Sequence, residues 1–247
     1  MELFPRRWDI LNREDEKGWR MRICFVGQSS VQAYLQSAEM EEVARTKIEG
    51  KDDLTVFGFE NGEISYEREL KGDTCFFENV AQLSKKKGGL VVCGVATNTH
   101  GHRRKSAVVA ENGRILGVSD MLHAIDGDGH SGAFLRVYET KIGRVGVAVA
   151  EDIYFPETVS TLAVCGCAFI VCPFATVEDH VCSVLLRAHA FTGGVPIVFC
   201  GKGYAMIADV DGTLAFASPI SPVCADFVIR KEFHLLELRR KIYLKGK

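Results

Sequence analysis

The sequence predicts an α/β fold in which two mixed β-sheets pack against each other and helices lie outside. Short apolar runs, typical of buried strands, alternate with segments whose apolar residues recur at helical spacing. Turn sequences such as Asn112-Gly113 interrupt this alternation and join neighbouring strands directly. Strands that are crossed by helices in some places and paired by hairpins in others indicate mixed sheets.

Domain organisation follows from the same pass along the chain. Residues 1–20 are polar with a few apolar anchors, which predicts an N-terminal extension. Residues 21–247 contain no internal repeat and no low-complexity linker, so we expect them to form a single domain.

The first part of the domain predicts three strands and two helices. The strands are the apolar runs at 21–27, 53–59 and 89–97, and the helices are at 36–49 and 74–87. The second helix ends in three lysines and two glycines, residues that are favourable at a helix C-terminus.

The second part begins with two hairpins, one turning at Asn112-Gly113 and the other near residues 141–143. A helix that opens at Pro156 and a buried strand follow. The remaining segments are the helix EDHVCSVLLRAHAFT, the strand VPIVFC, a hairpin on Asp211-Gly212 and a last strand at 223–229.

Charge and hydropathy exclude several classes of protein. The net charge of −2 argues against a nucleic-acid partner, which requires a concentrated basic face. The basic cluster HGHRRK around residues 102–105 has no interleaved aromatic residue, so we interpret it as a solvated loop. No apolar run approaches the ~20 residues of a membrane span, and the charged N-terminus does not resemble a signal peptide.

Nine cysteines lie mostly inside apolar runs, and their spacing matches no paired metal motif. We interpret them as reduced core thiols of a cytoplasmic protein. No cluster of histidine or aspartate has ligand spacing, so we expect neither a metal nor another cofactor.

The stretch GRVGVAVAEDIYFPE, residues 143–157, draws attention to a candidate site. A small-residue run, Val145 to Ala150, predicts a buried strand that ends abruptly before a helix. Such bends hold nucleophiles in α/β folds, yet the residue here is Ala150, which has no reactive group.

This stretch resembles the nucleophile segment of the nitrilase, or carbon–nitrogen hydrolase, superfamily, in which a strand runs into Cys-x-Asp, an aromatic residue, Pro and Glu. LRAHAFTGGVPIVFCGKGYAMIADVDGTLAFAS resembles the closing segment of that family, and SAVVAENGRILGVSDMLH its middle hairpin. The resemblance covers roughly residues 21–230. It implies a nitrilase-like α-β-β-α four-layer sandwich that pairs with a second copy.

Family chemistry uses a cysteine nucleophile, a glutamate base and a lysine that stabilises the oxyanion. The resemblance places Ala150 at the cysteine position, Met121 at the lysine position and Phe59 at the glutamate position. All three reactive groups are therefore missing from the expected catalytic positions.

Three residues are candidate substitutes. Glu60 follows Phe59 directly, and a bulge in the strand would turn its carboxylate towards the site. Cys172 ends the next strand, where a buried core thiol is the more common role, and His123 is either a lone acid or base or a structural histidine. Lys202, beside the end of the VPIVFC strand, is a further candidate for reaching the site.

The acidic residues of the stretch have structural interpretations. The resemblance implies that Asp152 is a structural residue at the bend, and Glu157 suits the first turn of a helix. Glu151 and Asp152 are adjacent, so their side chains should project in different directions.

Two functions remain open at this point. The first is a catalytically silent homologue, a pseudoenzyme with a binding or assembly role, whose pocket would suit a small apolar ligand or be packed shut. The alternative is an amide or nitrile hydrolase that works through Glu60, His123 and Cys172. A third function, a purely structural subunit of a larger oligomer, is not distinguished by the sequence from the catalytically silent homologue. The resemblance implies a homodimer or higher homo-oligomer that pairs through residues 153–157, with no nucleic-acid or membrane partner.

Overall fold

The computed structural model describes residues 18–43, 52–125, 127, 129–175 and 180–230. The strands are β1 (Trp19–Val26), β2 (Leu54–Ser65), β3 (Leu90–Thr99), β4 (His102–Glu111), β5 (Arg114–Asp120), β6 (Val137–Thr140), β7 (Gly143–Val147), β8 (Phe169–Pro173), β9 (Ile197–Gly201), β10 (Tyr204–Ala208), β11 (Leu214–Ser218) and β12 (Val223–Ile229). The helices are α1 (Val31–Val43), α2 (Tyr66–Lys71), α3 (Phe76–Lys87), α4 (Pro156–Val164) and α5 (His180–Gly193), with a 3-10 helix at Ala150–Tyr154.

Two six-stranded sheets form the centre of the molecule. The first has the order β12-β1-β2-β3-β4-β5 and the second the order β11-β10-β9-β8-β7-β6. In each sheet three central strands run parallel, and antiparallel strands extend the sheet on both sides. The predicted pair of mixed sheets is therefore confirmed.

The main core lies between the sheets because apolar side chains from both meet there. Ile23 and Val56 of the first sheet and Val145 and Phe169 of the second belong to this one buried cluster. Each of these side chains is fully removed from water, which stabilises the fold by roughly 1.5–3 kcal/mol per residue.

Helices cover the outer faces of both sheets. In α3 the buried residues Phe76, Val80 and Leu83 recur at helical spacing and pack, together with α1, on the outer face of the first sheet. Leu162 of α4 and Leu186 of α5 pack on the second sheet. The arrangement is the expected α-β-β-α sandwich.

The predicted turns and caps are confirmed at three places. Asn112 and Gly113 both have positive φ, as a two-residue hairpin turn requires, and Gly212 has positive φ in the last hairpin. Gly88 ends α3 in the left-handed conformation and donates its N–H to the carbonyl of Ser84.

Three boundaries differ from the prediction, and one short helix was not predicted. Strand β2 continues to Ser65, beyond residue 59, because irregular pairing carries it past an Asn-Gly pair. Helix α1 begins at Val31, earlier than expected, and α2 was not predicted since it is only six residues long. Strand β1 begins at Trp19, inside the expected extension, whose residues 1–17 lie outside the described part.

The basic cluster around residues 102–105 is not a loop. Residues 102–105 open β4, and the hairpin turn is formed by His100 and Gly101, both of positive φ. Arg103 pairs with Glu63 of β2 at 2.8 Å across the intervening β3, so an ion pair holds part of this cluster on the sheet.

Candidate functional site

The chain bends sharply at Ala150, as the sequence predicts. Strand β7 ends at Val147, and the N–H of Ala148 still donates to Val171 on β8 at 3.0 Å. Ala150 then adopts a left-handed conformation with φ of 48° and begins the 3-10 helix, fully buried. This conformation costs an alanine roughly 1–2 kcal/mol, so the surrounding structure must impose it.

Asp152 ties this bend to the segment that follows β5. Its buried carboxylate accepts hydrogen bonds from the backbone N–H groups of Leu122 and His123 at 3.0 Å and lies 2.9 Å from Nδ1 of His123. Burial raises the pKa of the Asp152 carboxyl, while these donors oppose the rise. The imidazole of His123 also stacks on Phe155 with ring centroids 3.8 Å apart. Asp152 and His123 thus form a structural clamp.

Met121 lies immediately before this clamp. Its N–H donates to the carbonyl of Lys105 at 2.8 Å, and its own carbonyl accepts from Gly132 at 2.7 Å. The side chain is 3% exposed and belongs to the main core. A thioether in this environment contributes packing and no acid–base chemistry.

Phe59 occupies an irregular stretch of β2, where the pairing with β3 shifts register on both sides of it. Its partly buried ring packs against the main core and lies over Gly94 of β3. A Cβ atom added at Gly94 would collide with Cδ2 of Phe59 and lie 2.7 Å from Cε2. The absence of a side chain at Gly94 therefore makes room for the aromatic ring.

The structure consequently brings Phe59, Met121 and Ala150 to the same main core, each at or just beyond the end of a regular strand stretch. All three side chains are apolar, so none supplies a nucleophile, a base or a cation.

Glu60 is directed to the opposite side of the first sheet. Its Oε2 accepts the backbone N–H of Val31 at 2.9 Å, at the beginning of α1, and Oε1 accepts the N–H of Asn61 at 3.2 Å. Val31 belongs to the separate cluster beneath α1 and α3. The irregular pairing envisaged for β2 exists, but the Glu60 carboxylate serves as the N-terminal cap of a helix.

Cys172 does approach the bend. Its Sγ lies 3.9 Å from the carbonyl oxygen of Ala150, although the residue is completely buried. Burial raises the pKa of this thiol well above its ordinary value, which keeps it protonated and poorly nucleophilic. Lys202 is exposed at the β9–β10 turn.

One ion pair at the bend could not be predicted from spacing. Nζ of Lys105 on β4 lies 2.6 Å from Oε1 of Glu151, and both side chains are largely buried. Glu151 and Asp152 therefore project in different directions, as expected. The two residues are 46 positions apart in the sequence, so no local motif contains both of them.

A buried histidine supports the bend from the second outer layer. His189 of α5 places Nε2 3.0 Å from the carbonyl oxygen of Ile153, to which its N–H donates. Burial lowers the pKa of His189 and favours the neutral ring.

Together, the four-layer sandwich and the strand-to-helix bend at residue 150 define a nitrilase-like protein. A model of the carbon–nitrogen hydrolase family matches residues 53–219, which is more than half of the chain. The chain belongs to the carbon–nitrogen hydrolase family.

Among known proteins, the chain is similar to citrullinase from Francisella tularensis, with 27% identity over 44% of this chain and 44% of that protein. N-carbamoylputrescine amidase from Arabidopsis thaliana is 27% identical over 39% of this chain and 38% of its own length. The chain thus matches about two fifths of the length of these curated relatives.

Solved structures have the same fold. Nit3 from Saccharomyces cerevisiae, a member of the nitrilase superfamily, superposes with a TM-score of 0.69. The alignment covers 92% of this chain and 96% of Nit3, at 18% identity.

The described residues include no helix with the length and apolar character of a membrane span.

Proposed function

We propose that this chain is a catalytically silent member of the carbon–nitrogen hydrolase family, retained for binding or assembly. The observation that carries the proposal is the apolar character of Phe59, Met121 and Ala150, which all belong to the main core or pack against it. A hydrolase of this family requires a nucleophile, a base and a cation, and these residues offer none of them.

The environment of the candidate substitutes supports the same conclusion. The carboxylate of Glu60 is committed to the start of α1, and the His123 ring is committed to Asp152 and Phe155. Cys172 lies close enough to the bend to matter, but its pKa is raised by burial. A protonated thiol attacks amide carbon poorly because the thiolate is the nucleophile.

The test is release of ammonia from a panel of amides, nitriles and N-carbamoyl compounds by the purified chain. We expect no release above a heat-inactivated sample, and the same for an Ala150→Cys variant, because restoring the thiol alone leaves Phe59 and Met121 at the positions of the base and the cation. An active amidase of the same family, purified in the same way, is the positive control.

A hydrolase that works through displaced residues is the second candidate, favoured by the 3.9 Å approach of the Cys172 thiol to Ala150. It predicts turnover that disappears in Cys172→Ala and persists in Cys182→Ala, a matched control since both thiols are buried. Turnover with this dependence would replace the first proposal.

Assembly and location are part of the proposal. Residues 21–247 act as one domain in a reducing, cytoplasmic setting, supported by nine free cysteines. The chain forms a homodimer through the segment 153–157, where Pro156 and Glu157 are exposed. Size-exclusion chromatography with light scattering should give twice the mass of the chain, and a Glu157→Arg variant should shift it towards the monomer. A monomer at every concentration contradicts this part.

A small apolar ligand is the remaining element of the proposal. It would bind among Phe59, Met121 and the residues around Ala150, whose apolar side chains suit such a molecule. Thermal unfolding in the presence of a library of small apolar compounds tests it: a ligand raises the midpoint in the native chain.

A further inference from the structure

Two cysteines that are 200 residues apart in the sequence face each other at the edge of the first sheet. Strands β1 and β12 pair antiparallel, and their register sets Cys24 directly opposite Cys224. Directly opposed residues point to the same face of a sheet with Cβ atoms about 4.5–5.5 Å apart. The two Sγ atoms and a carboxylate oxygen of Asp52 all lie within 4.8 Å of one another.

This spacing suits a disulfide bond. A disulfide needs Cα atoms roughly 4.4–6.8 Å apart and side chains that point the same way, and an opposed antiparallel pair meets both conditions. The two sulfur atoms rotate towards each other, and a small approach of β1 and β12 brings the Cβ atoms to the roughly 3.5–4.5 Å of a disulfide.

The two thiols differ in access. Cys24 is 2% exposed and packs in the cluster beneath α1, where its Sγ lies 3.5 Å from the hydroxyl of Tyr34. Cys224 is exposed and lies on β12, the edge strand of the sheet. A dissolved reagent therefore reaches Cys224 first, and Cys24 is held directly behind it.

The surrounding charges distinguish the two thiols further. A hydrogen bond from the Cys24 thiol lowers the pKa of Cys224 to about 7, and the Arg22 guanidinium acts in the same direction. The same hydrogen bond and burial raise the pKa of Cys24. The pair therefore combines an exposed thiolate with a protonated neighbour.

The carboxylate of Asp52 does not make this group an obvious metal site. Its two oxygens already face cations, with Nε of Arg22 at 3.5 Å and Nζ of Lys87 at 3.2 Å. These two positive charges oppose the binding of a divalent cation. Arg22 also favours the thiolate of Cys224, whereas the Asp52 carboxylate disfavours it.

We infer that Cys24 and Cys224 form a redox-active dithiol, in which Cys224 reacts with hydroperoxides and Cys24 resolves the product as a cross-strand disulfide. The site is separate from the bend at Ala150, since it lies on the outer face of the first sheet.

The reaction balances with hydrogen peroxide as the oxidant. The Cys224 thiolate attacks one peroxide oxygen, an S–O bond forms, the O–O bond breaks, and hydroxide leaves to take up a proton as water. The sulfur of Cys24 then attacks the sulfenic sulfur of Cys224, an S–S bond forms, the S–O bond breaks, and a second water leaves. Two thiols and one peroxide give one disulfide and two waters.

Peptide mapping tests the assignment on the unmodified chain. The protein is reduced, freed of reductant, treated with hydrogen peroxide, blocked with N-ethylmaleimide under denaturing conditions and digested with trypsin without reduction. Cleavage gives peptide 23–45, whose only cysteine is Cys24, and peptide 203–230, whose only cysteine is Cys224. We expect a linked species of these two peptides, lighter than their sum by two hydrogen atoms.

Variants assign the order of events. Cys224→Ser should abolish the linked species, and Cys24→Ala should leave Cys224 as sulfenic acid that a dimedone probe captures. Cys75→Ser is the matched control because Cys75 is also exposed but faces no second cysteine among the described residues; it should form the link as the native chain does. Circular dichroism confirms that each variant is folded.

A second measurement is the alkylation rate of Cys224 by iodoacetamide at pH 7. Because the hydrogen bond from Cys24 and the Arg22 guanidinium lower the pKa of Cys224, more of this thiol is ionised than of a free thiol, and we expect a faster rate than that of the free thiol.

Three results would overturn the assignment. The first is full alkylation of both peptides after a peroxide treatment that oxidises Cys75. The second is an alkylation rate of Cys224 at or below that of the free thiol. The third is zinc retained through dialysis in a one-to-one ratio with the chain and lost in Cys224→Ser, which would make the group a metal site.

Discussion

Replacement of Asp152 by alanine should destabilise the protein more than most single substitutions. The carboxylate is 1% exposed and accepts the backbone N–H groups of Leu122 and His123 as well as facing the His123 ring. Its removal leaves two backbone donors without partners, at about 1–3 kcal/mol each. The substitution also removes the unfavourable burial of a carboxylate, which raises the pKa of Asp152 in the native chain, and this gain offsets part of the lost stability.

We therefore expect the free energy of unfolding to fall by about 2–4 kcal/mol in Asp152→Ala. A domain of this size loses roughly 2–4 °C of melting temperature per kcal/mol, so the midpoint should fall by about 5–15 °C. Asp152→Asn should have a smaller effect, because Oδ1 is kept while an NH₂ group replaces the oxygen that faces the N–H of Leu122.

Urea unfolding followed by circular dichroism gives the free energies, and differential scanning calorimetry gives the midpoints. Glu139→Ala is the control: this carboxylate is 75% exposed and lies 2.8 Å from Nε of Arg144, so we expect a change within about 0.5 kcal/mol. Equal effects of Asp152→Ala and Glu139→Ala would show that Asp152 does not hold the bend.

Three further predictions concern packing, pH and the ion pair. Gly94→Ala should destabilise by about 1–3 kcal/mol through its collision with the ring of Phe59, and adding Phe59→Leu should recover part of the loss, measured as a double-mutant cycle in urea. Burial lowers the pKa of His189, so the stabilisation that its neutral ring provides is complete above the unfolded-state pKa of ~6.5 and is lost as the pH falls through the folded-state pKa. Urea denaturation at several pH values should show this loss of stability in the native chain, and His189→Gln should not show it. Lys105→Met should lower the free energy of unfolding by about 1–3 kcal/mol, because the largely buried Glu151 carboxylate then lacks this cation. Adding Glu151→Gln should restore part of the lost stability. Equal stability of Lys105→Met and the native chain in thermal melts would contradict this prediction.

Local sequence rules predicted much of the fold. Strands such as β8 and β9 are recognisable because five consecutive residues of each are buried, so the apolar run is uninterrupted. The hairpin at Asn112-Gly113 and the end of α3 at Gly88 follow from residues that tolerate positive φ. These patterns depend on neighbouring residues only, so they can be recognised without knowledge of the tertiary structure.

Features that depend on tertiary packing were less accessible. The continuation of β2 to Ser65 depends on pairing with β3 across two register shifts, which the local sequence does not specify. The direction of Glu60 depends on the same irregularity, so its role as a cap for α1 could not be deduced from alternation alone. The approach of Cys24 to Cys224 joins β1 to β12, which are far apart in the sequence, and no local pattern encodes it.

At the candidate site, the sharp bend and the structural position of Asp152 were predictable. The pairing of Lys105 with Glu151 was not predictable, because nothing in the sequence around Lys105 on β4 indicates that its partner follows β7.

The bend at Ala150 has a consequence for protein engineering. Its left-handed backbone lies between the hydrogen bond of the Ala148 N–H to Val171 and that of the Asp152 N–H to the carbonyl of Val149 at 3.1 Å. Neither bond involves the side chain of residue 150, so the backbone fixes the direction in which any side chain at this position points. Installing a reactive group at this point leaves the backbone unchanged, and the requirement is to make room for a larger side chain at a fully buried position.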